Sequence, residues 1–160
     1  MATPDFVLDL REKVGHALLW LPGVTAVVLR DGPAGTREVL LVRRADNGAW
    51  TPVTGIVDPG EEPAVAGVRE VHEEADVVAE PVALVRVHTL PPMRYPNGDQ
   101  AQYLDHTFRF RYVSGEPHPA DGENTAAAWF ALDDLPPMSE DMLARVAAAT
   151  DGSERAAFLR

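Results

Sequence analysis

Apolar residues follow two different periods along this chain, and these periods distinguish helices from strands. From Phe6 to Leu18 an apolar residue recurs at every fourth position, which predicts an amphipathic helix at the start of the chain. The apolar side of that helix is expected to pack on the domain or on a second subunit. Residues 23–30 and 37–44 are β-branched runs on either side of DGPAGT, so they predict a β-hairpin.

The remainder of the chain alternates between helical and extended patterns. Residues 63–75 have helical spacing, and residues 82–90 and 101–113 are predicted strands joined by the turn sequence YPNGD. A short strand at residues 126–131 precedes a C-terminal helix. That helix is expected to begin at Ser139, because serine is a good N-cap and two acidic residues follow it. The pattern predicts a mixed α/β domain.

Length and composition are those of one folded domain. The chain has 160 residues, of which 46% are apolar and 24% are charged, and this is enough to bury a substantial core. We expect a single domain over residues 21–160, preceded by a helical arm over residues 1–20. The chain has no cysteine, which excludes disulfides, thiolate metal sites and cysteine nucleophiles.

Charge and hydropathy narrow the class of partner. A formal net charge of −11 argues against binding to duplex nucleic acid and disfavours long RNA, because such binding depends on lysine and arginine. The most apolar early stretch, residues 16–29, is interrupted by Pro22 and Gly23 and is short for a membrane span. These features predict a cytoplasmic protein outside the membrane and leave small ligands and cations as candidate partners.

Residues 54–77 concentrate negative charge in one short segment. Seven acidic residues stand there beside a single arginine, Arg69, although like charges so close together repel one another. At about 100° per residue, Glu70, Glu73 and Glu74 fall within an arc of roughly 100° on one helix face. The segment therefore predicts three carboxylates on a shared face.

The other side of the same helix is apolar. Pro63 suits its first turn, where the missing N–H of proline would have had no partner. The apolar stripe is expected to be buried, so that the carboxylates face whatever lies across from them. The stripe consists of Ala64, Val68, Val71 and Ala75.

Three carboxylates on one face suit a hard divalent cation. Oxygen is the ligand that Mg²⁺ and Mn²⁺ prefer, and a bound ion would convert the mutual repulsion into attraction. Mg²⁺ in turn suits the hydrolysis of a pyrophosphate bond. A solvated acidic helix would carry the same residue types, so the helix alone leaves both interpretations open.

The spacing beyond the helix favours the metal site. A glycine, a glutamate, an arginine and the helix glutamates stand at offsets that resemble the signature of the Nudix hydrolases, the family of MutT-like proteins. Asp76 departs from that signature, because the family has glycine there. Val53 and Thr54 also replace the residues that commonly lead into the motif. The matching positions are Gly55, Glu61, Arg69, Glu70, Val71, Glu73, Glu74 and Val77.

The resemblance implies a fold and a set of metal ligands. It implies an α/β/α sandwich with a mixed β-sheet that extends over about residues 22–137. It also implies that Glu70, Glu73 and Glu74 bind the metal together with the carbonyl oxygen of Gly55. These carboxylates would therefore take part in catalysis.

Glu61 and Arg69 have a different implied role. In the family, a carboxylate at the boundary of loop and helix accepts hydrogen bonds from a guanidinium two turns later. Such a pair would hold the loop against the helix and so support catalysis. The alternative is a surface salt bridge worth roughly 0–1 kcal/mol.

Candidate substrate contacts lie outside the helix. Arg43 and Arg44 end a predicted strand and point to opposite faces by alternation, and the resemblance favours Arg44 as a phosphate contact. Tyr95, on a turn, is the favoured aromatic residue for stacking on a nucleobase. Glu123 resembles a loop glutamate that assists the metal or the attacking water in some members, which makes it a further candidate base or ligand. Other aromatic candidates are Trp50, Tyr103 and Trp129. No metal spacing is shown by His16, His72, His88, His106 and His118.

These features predict an enzyme that uses Mg²⁺ or Mn²⁺ to hydrolyse a pyrophosphate bond in a nucleoside diphosphate linked to another group, such as a nucleotide sugar. The alternative is a non-catalytic nucleotide-binding or regulatory Nudix-like domain. Retention of every acidic motif position favours the enzyme. An isomerase branch of the same fold is less similar, because its members use a cysteine. A homodimer formed through the N-terminal helix is a further hypothesis.

Overall fold

The computed structural model describes residues 3–158, which form one mixed β-sheet with helices on both faces. The predicted α/β/α sandwich is confirmed. A short 3₁₀ turn, Pro33–Gly35, follows the first strand. The helices are α1 Asp5–Val14, α2 Pro63–Ala75 and α3 Glu140–Thr150. The strands are β1 Leu18–Asp31, β2 Arg37–Arg44, β3 Trp50–Thr51, β4 Val53–Ile56, β5 Val78–Thr89, β6 Met93–Arg94, β7 Gln100–Ser114 and β8 Asn124–Ala131.

The sheet combines one parallel pair of strands with antiparallel neighbours. β1 runs parallel to β7, from Leu18 opposite Gln100 to Leu29 opposite Arg111. The main strand order is β3-β2-β1-β7-β5, while β4 pairs with β1, β6 with β7 and β8 with β2. The predicted hairpin is confirmed, since β1 and β2 are antiparallel with Leu29 opposite Val39.

The later elements agree with the predicted ones in type and differ in their ends. β5, β7 and β8 confirm the strands predicted at residues 82–90, 101–113 and 126–131, although each begins earlier than predicted and β5 ends one residue sooner. Ser139 is the N-cap of α3, because its Oγ accepts a hydrogen bond from the N–H of Met142 at 3.3 Å. Among residues 3–158, no helix is long and apolar enough to cross a membrane.

The N-terminal helix is shorter than its apolar spacing predicts. α1 ends at Val14, and Gly15 leaves the helix with φ of 59°, a conformation that favours glycine. Leu18, predicted as the last apolar position of the helix, is instead the first residue of β1. Val7 is buried in a cluster with residues of β1, β4 and β7, so α1 packs on the sheet. The division of the chain after residue 20 stays a prediction.

Alternate side chains of β1 enter two separate cores, as a strand with both faces covered requires. Ala26 lies in one cluster with Val71 of α2. Val27 lies in a second cluster with Val146 of α3. The sheet therefore has an α2 face and an α3 face, and this division fixes which strand residues can reach the acidic helix.

A glycine lets α2 approach the sheet closely. Phe110 of β7 is fully buried beneath the helix. A Cβ at Gly67 would lie 2.7 Å from Cζ of that ring, which is closer than a real side-chain atom can come. The helix axis can therefore sit nearer to the sheet than a larger residue at this position would allow.

The buried side of α2 differs from the predicted stripe. Val68, predicted as buried, is 37% exposed, whereas Glu70 and Glu74, predicted to lie opposite the stripe, are 3% and 4% exposed. The small residues Ala66 and Gly67 form the line of closest approach to the sheet. That line turns two glutamates inward. The prediction was therefore wrong for Val68, Glu70 and Glu74, whereas Val71 and Ala75 are buried and Glu73 is exposed as predicted.

α2 ends at a residue in the left-handed conformation. Asp76 has φ of 52° and ψ of 35°, and its N–H donates to the carbonyl of His72 at 3.0 Å. Asp76 thus occupies the cap conformation for which glycine is the usual residue. Its carboxylate lies 3.7 Å from Nδ1 of His72 and 3.7 Å from Nδ1 of His118. All three side chains are largely exposed, so these contacts contribute little.

A buried polar network joins α3 to the sheet. Nη1 of Arg145 donates to Oγ1 of Thr25 at 2.7 Å and to Oδ1 of Asp105 at 3.2 Å. Asp105 also accepts hydrogen bonds from the hydroxyls of Thr25 and Thr107, each at 2.7 Å. At the helix surface, Nε of the same arginine donates to Asp141 at 2.9 Å. Both oxygens of the buried Asp105 therefore have hydrogen-bond donors.

Removing the arginine of this network should destabilise the fold strongly. In Arg145→Met the Asp105 carboxylate would stay buried without its counter-charge, and we expect the free energy of unfolding to fall by about 3–5 kcal/mol. Arg86→Met is the matched control, because Arg86 contacts only the partly exposed Asp141 of this network, at 3.0 Å, and should cost about 1 kcal/mol or less. Denaturant titrations would measure both. Equal losses in the two variants would contradict the role assigned to Arg145.

Replacing the left-handed aspartate with glycine should stabilise the protein. Asp76→Gly removes the backbone cost of a Cβ in this conformation and an anionic charge at the C-terminal end of the helix, so we expect a gain of about 1 kcal/mol, reduced by the greater freedom of glycine in the unfolded chain. Asp76→Asn, which removes the charge alone, separates the two contributions. The denaturant midpoint measures the effect, and a lower midpoint for Asp76→Gly would show that the aspartate side chain stabilises the turn.

Candidate active site

The backbone of Gly55 and the side chain of Glu70 are in direct contact. Gly55 lies in β4 opposite Val24 of β1. A Cβ at Gly55 would lie 2.3 Å from both Cγ and Oε1 of Glu70, a distance that no real pair of atoms tolerates. Glycine is therefore required at this position if the Glu70 carboxylate is to lie against the backbone of β4.

Glu61 and Arg69 make the contact that the sequence analysis anticipated. Nε of Arg69 donates to Oε1 of Glu61 at 3.0 Å, and Nη2 donates to Oε2 at 2.9 Å, a two-pronged geometry that is strong and directional. Nη2 also donates to the carbonyl of Ile56 at 3.2 Å. The Arg69 guanidinium holds the pKa of Glu61 below its usual range. These bonds tie the loop after β4 to the middle of α2.

The same guanidinium reaches two of the three helix glutamates. Nη1 of Arg69 donates to Oε1 of Glu70 at 2.9 Å and to Oε2 of Glu73 at 3.2 Å. The family resemblance implied a single carboxylate partner for Arg69, namely Glu61. The arginine instead contacts three carboxylates and offsets part of their mutual repulsion.

Burial divides the helix glutamates into two kinds. The side chain of Glu73 is 51% exposed, whereas Glu70 and Glu74 are buried. Burial raises the pKa of Glu70 to about 7, even though Arg69 acts to lower it. Burial also raises the pKa of Glu74, against the opposing effect of a hydrogen bond from Asn124. Both buried carboxylates would ionise more readily beside a further positive charge.

Asn124 is a residue of this site that the sequence analysis missed. Its Nδ2 donates to Oε2 of Glu74 at 2.9 Å in a buried position. The family resemblance pointed to the preceding residue, Glu123, and no sequence signal marked the asparagine. Glu123, Asn124 and Glu74 line a cavity of about 30 Å³. The remaining lining residues are Val42, Arg44, Thr51 and Thr54.

The oxygen atoms of the site are suitable ligands for a hard divalent cation. Glu70, Glu73, Glu74 and the carbonyl of Gly55 all offer oxygen, which Mg²⁺ and Mn²⁺ prefer. Within residues 3–158, no group of three His, Asp or Glu side chains is already arranged to hold a metal ion. Arg69 holds one oxygen each of Glu70 and Glu73, so a cation would compete with the guanidinium for these two carboxylates.

Arg44 lies on the side of the sheet that carries the buried carboxylates. It lines the cavity together with Glu74, while Nε of Arg43 donates to the carbonyl of Gly48 at 3.2 Å. The Arg44 guanidinium makes a two-pronged contact with Asp46, at 2.9 Å from Nε and 2.7 Å from Nη2. A phosphate arriving at Arg44 would therefore share the guanidinium with Asp46.

The aromatic candidates differ in their surroundings. Tyr95 is 37% exposed, and its hydroxyl lies 2.8 Å from the hydroxyl of Tyr103. Burial raises the pKa of Tyr103 above its usual range. Tyr95 is thus partly exposed, whereas the candidates Trp50 and Trp129 pack against other aromatic rings. Their edge-to-face partners are Phe130 for Trp50, at 4.8 Å, and Tyr112 for Trp129, at 5.2 Å.

The chain is similar in sequence to proteins of known name. A NAD-capped RNA hydrolase of Pseudomonas aeruginosa is 36% identical over 103 residues, which cover 63% of this chain and 34% of that protein. An 8-oxo-dGDP phosphatase of Mus musculus is 30% identical over 139 residues, which cover 83% of this chain and 37% of that protein. This chain therefore spans about a third of the length of these curated relatives.

A solved structure and a family model agree on the fold. The crystal structure of a MutT NUDIX hydrolase from Burkholderia pseudomallei superposes with a TM-score of 0.64 and 28% identity, covering 82% of this chain and 99% of that one. The family model of the NUDIX domain matches residues 20–149. That range contains both faces of the sheet, the acidic helix and its buttressing arginine. The chain belongs to the Nudix hydrolase family.

Proposed function

We propose that this protein uses a divalent metal ion, Mg²⁺ or Mn²⁺, to hydrolyse a pyrophosphate bond in a nucleoside diphosphate linked to another group. The observation that carries the proposal is the pair of buried carboxylates, Glu70 and Glu74, which lie on one side of α2. Burying two carboxylates costs free energy unless a cation or hydrogen-bond donors compensate. Arg69 donates to one oxygen of Glu70 and Asn124 to one oxygen of Glu74, and a bound cation would compensate further for the burial.

Glu70, Glu73, Glu74 and the carbonyl of Gly55 are the residues that would hold the ion. When bound, a divalent ion polarises a phosphoryl oxygen and lowers the pKa of a coordinated water. The chain itself supplies the rigidity, because Arg69 ties the loop to α2 through Glu61 and holds one oxygen of the Glu70 carboxylate. In this proposal Glu61 and Arg69 support catalysis by position and do not touch the reacting phosphorus.

Arg44 is the proposed contact for the substrate phosphates. Its guanidinium lies on the α2 face beside the cavity that Glu74 lines, and guanidinium groups bind phosphate oxygens in a two-pronged geometry. Tyr95 is the proposed stacking surface for a nucleobase, because its ring is partly exposed. Glu123, which lines the same cavity, is the proposed additional base or metal ligand.

The names of the relatives support a nucleotide substrate. One is a NAD-capped RNA hydrolase and another is an 8-oxo-dGDP phosphatase, so both names describe hydrolases of nucleotide derivatives. The net charge of −11 favours a small substrate over a long nucleic acid. A cytoplasmic location and a homodimer are further parts of the proposal.

A substrate screen tests the proposed function directly. The purified chain would be incubated with Mg²⁺ or Mn²⁺ and a panel of nucleotide sugars, dinucleotides and nucleoside triphosphates, with products identified by mass spectrometry. Release of two phosphate-bearing products from a diphosphate-linked nucleoside is the expected result. If calorimetry showed nucleotide binding while no compound was hydrolysed with either metal, the protein would instead be a non-catalytic nucleotide-binding domain.

Neutralising one buried glutamate should abolish turnover and leave the fold intact. Glu74→Gln keeps the shape of the side chain and can still accept the bond from Asn124, but it removes a ligand charge. We expect turnover to fall by about 100-fold or more and the free energy of unfolding to stay equal or rise, because a buried charge is removed. Glu80→Gln, at an exposed strand glutamate, is the control. Normal turnover in Glu74→Gln would contradict the metal assignment.

Removing the buttressing guanidinium should reduce activity and stability together. We expect Arg69→Ala to lower the free energy of unfolding by about 1–3 kcal/mol, through the loss of charge-assisted hydrogen bonds, and to lower kcat/KM by about 10-fold to 100-fold. Arg111→Ala is the matched control, because Arg111 forms an exposed ion pair with Glu80 at 2.6 Å and should change neither quantity. If Arg69→Ala behaved like this control, the pair with Glu61 would be an ordinary surface salt bridge.

A further inference from the structure

Asn124 reaches the acidic helix because of an irregularity in the strand pairing. β8 pairs antiparallel with β2, and the register shifts between Arg43 and Arg44, so that Arg43 lies opposite Ala126 while Arg44 lies opposite Asn124. Without this shift Thr125 would lie opposite Arg44. A shift of one residue exchanges the two faces of a strand.

The exchange of faces buries Asn124 and exposes Thr125. Asn124 is 7% exposed and lies on the α2 face, where its amide bonds to Glu74. Thr125 is exposed, and its hydroxyl donates to the carbonyl of Arg43 at 3.3 Å. The bulge therefore places a neutral amide, and not a threonine, against the buried carboxylate.

An amide is well suited to hold a metal-binding carboxylate. Its NH₂ group donates hydrogen bonds, it carries no net charge, and it cannot compete with a cation by ion pairing. The bond from Nδ2 to Oε2 of Glu74, at 2.9 Å, restricts rotation of the carboxylate. The adjoining cavity of about 30 Å³ has room for one water molecule or a small ion.

We propose that Asn124 is a positioning residue that holds the Glu74 carboxylate through one oxygen and thereby presents the other oxygen to a divalent cation. This inference rests on the proposed function. In this proposal Asn124 acts through Glu74 and is not itself a ligand of the metal. Removing a residue that hydrogen-bonds to a metal ligand typically weakens metal binding by about 10-fold to 100-fold.

Direct measurement of Mn²⁺ binding tests this role without substrate. We expect Asn124→Leu, which keeps the side-chain volume and removes the donor, to weaken Mn²⁺ binding by about 10-fold to 100-fold, as followed by electron paramagnetic resonance. The Mg²⁺ concentration for half-maximal turnover should rise by a similar factor, with turnover partly recovered at high Mg²⁺. Thr125→Val, one residue along the same strand, is the matched control and should leave Mn²⁺ affinity unchanged.

A double-mutant cycle distinguishes positioning from a merely structural bond. If Asn124 acts through Glu74, adding Asn124→Leu to Glu74→Gln should not weaken Mn²⁺ binding any further. Independent losses that add in the double variant would overturn the proposal. Circular dichroism would confirm that each variant is folded. Asn124→Ala, which leaves space for a water, would replace Asn124→Leu if the latter did not fold, and we expect a smaller loss of affinity in the same direction.

The measurements separate this inference from the proposed function. A parent protein that binds no Mn²⁺ would overturn the metal site of the proposed function, and the role of Asn124 with it. A parent protein that binds Mn²⁺ with the same affinity as Asn124→Leu would overturn the positioning role alone. Weaker binding in Asn124→Leu, with Thr125→Val unchanged and non-additive losses in the cycle, is the result that supports it.

Discussion

Close packing of α2 against the sheet is the constraint on which the candidate site depends. Two glycines make it feasible: Gly67 lets the helix rest on Phe110, and Gly55 lets the side chain of Glu70 lie against the backbone of β4. At this distance the helix cannot turn its glutamates freely to water. Glu70 and Glu74 are therefore enclosed between helix and sheet, where Arg69 bonds to Glu70 and Asn124 bonds to Glu74.

Enclosure of two carboxylates determines the electrostatics of the site. Arg69 provides positive charge to Glu70, and Asn124 provides a hydrogen bond to Glu74, yet the pKa of each carboxyl group remains above its usual range because burial outweighs these partners. A carboxylate in that condition gains more from a nearby cation than an exposed one does, since attraction is stronger where water is excluded. The same burial that costs stability would thus favour the binding of a metal ion in the proposed site.

Much of this arrangement could be predicted from the sequence. The parts that were not predicted depend on how α2 packs on the sheet and on the register of β8. Periodicity predicted the three helices and the five longest strands but not the short strands β3, β4 and β6, and Ser139 predicted the start of α3. The family resemblance implied that Glu61 pairs with Arg69, and the two side chains are in contact. Amphipathic analysis treats every glutamate as water-facing, so it could not foresee the burial of Glu70 and Glu74. Alternation along β8 also places Thr125 on the site face, and only the register shift opposite Arg44 brings Asn124 there.

The two faces of the sheet show what distinguishes a site from a structural network. On the α3 face, Asp105 is as deeply buried as Glu74, but Thr25, Thr107 and Arg145 donate to both of its oxygens. Within residues 3–158, the Glu74 carboxylate receives its side-chain hydrogen bond from Asn124 at one oxygen. A carboxylate with both oxygens bonded has little affinity left for a cation, because binding one would require breaking existing bonds. The number of hydrogen-bond donors around each buried acid, and not the number of acids, therefore supports our proposal that the metal site lies on the α2 face.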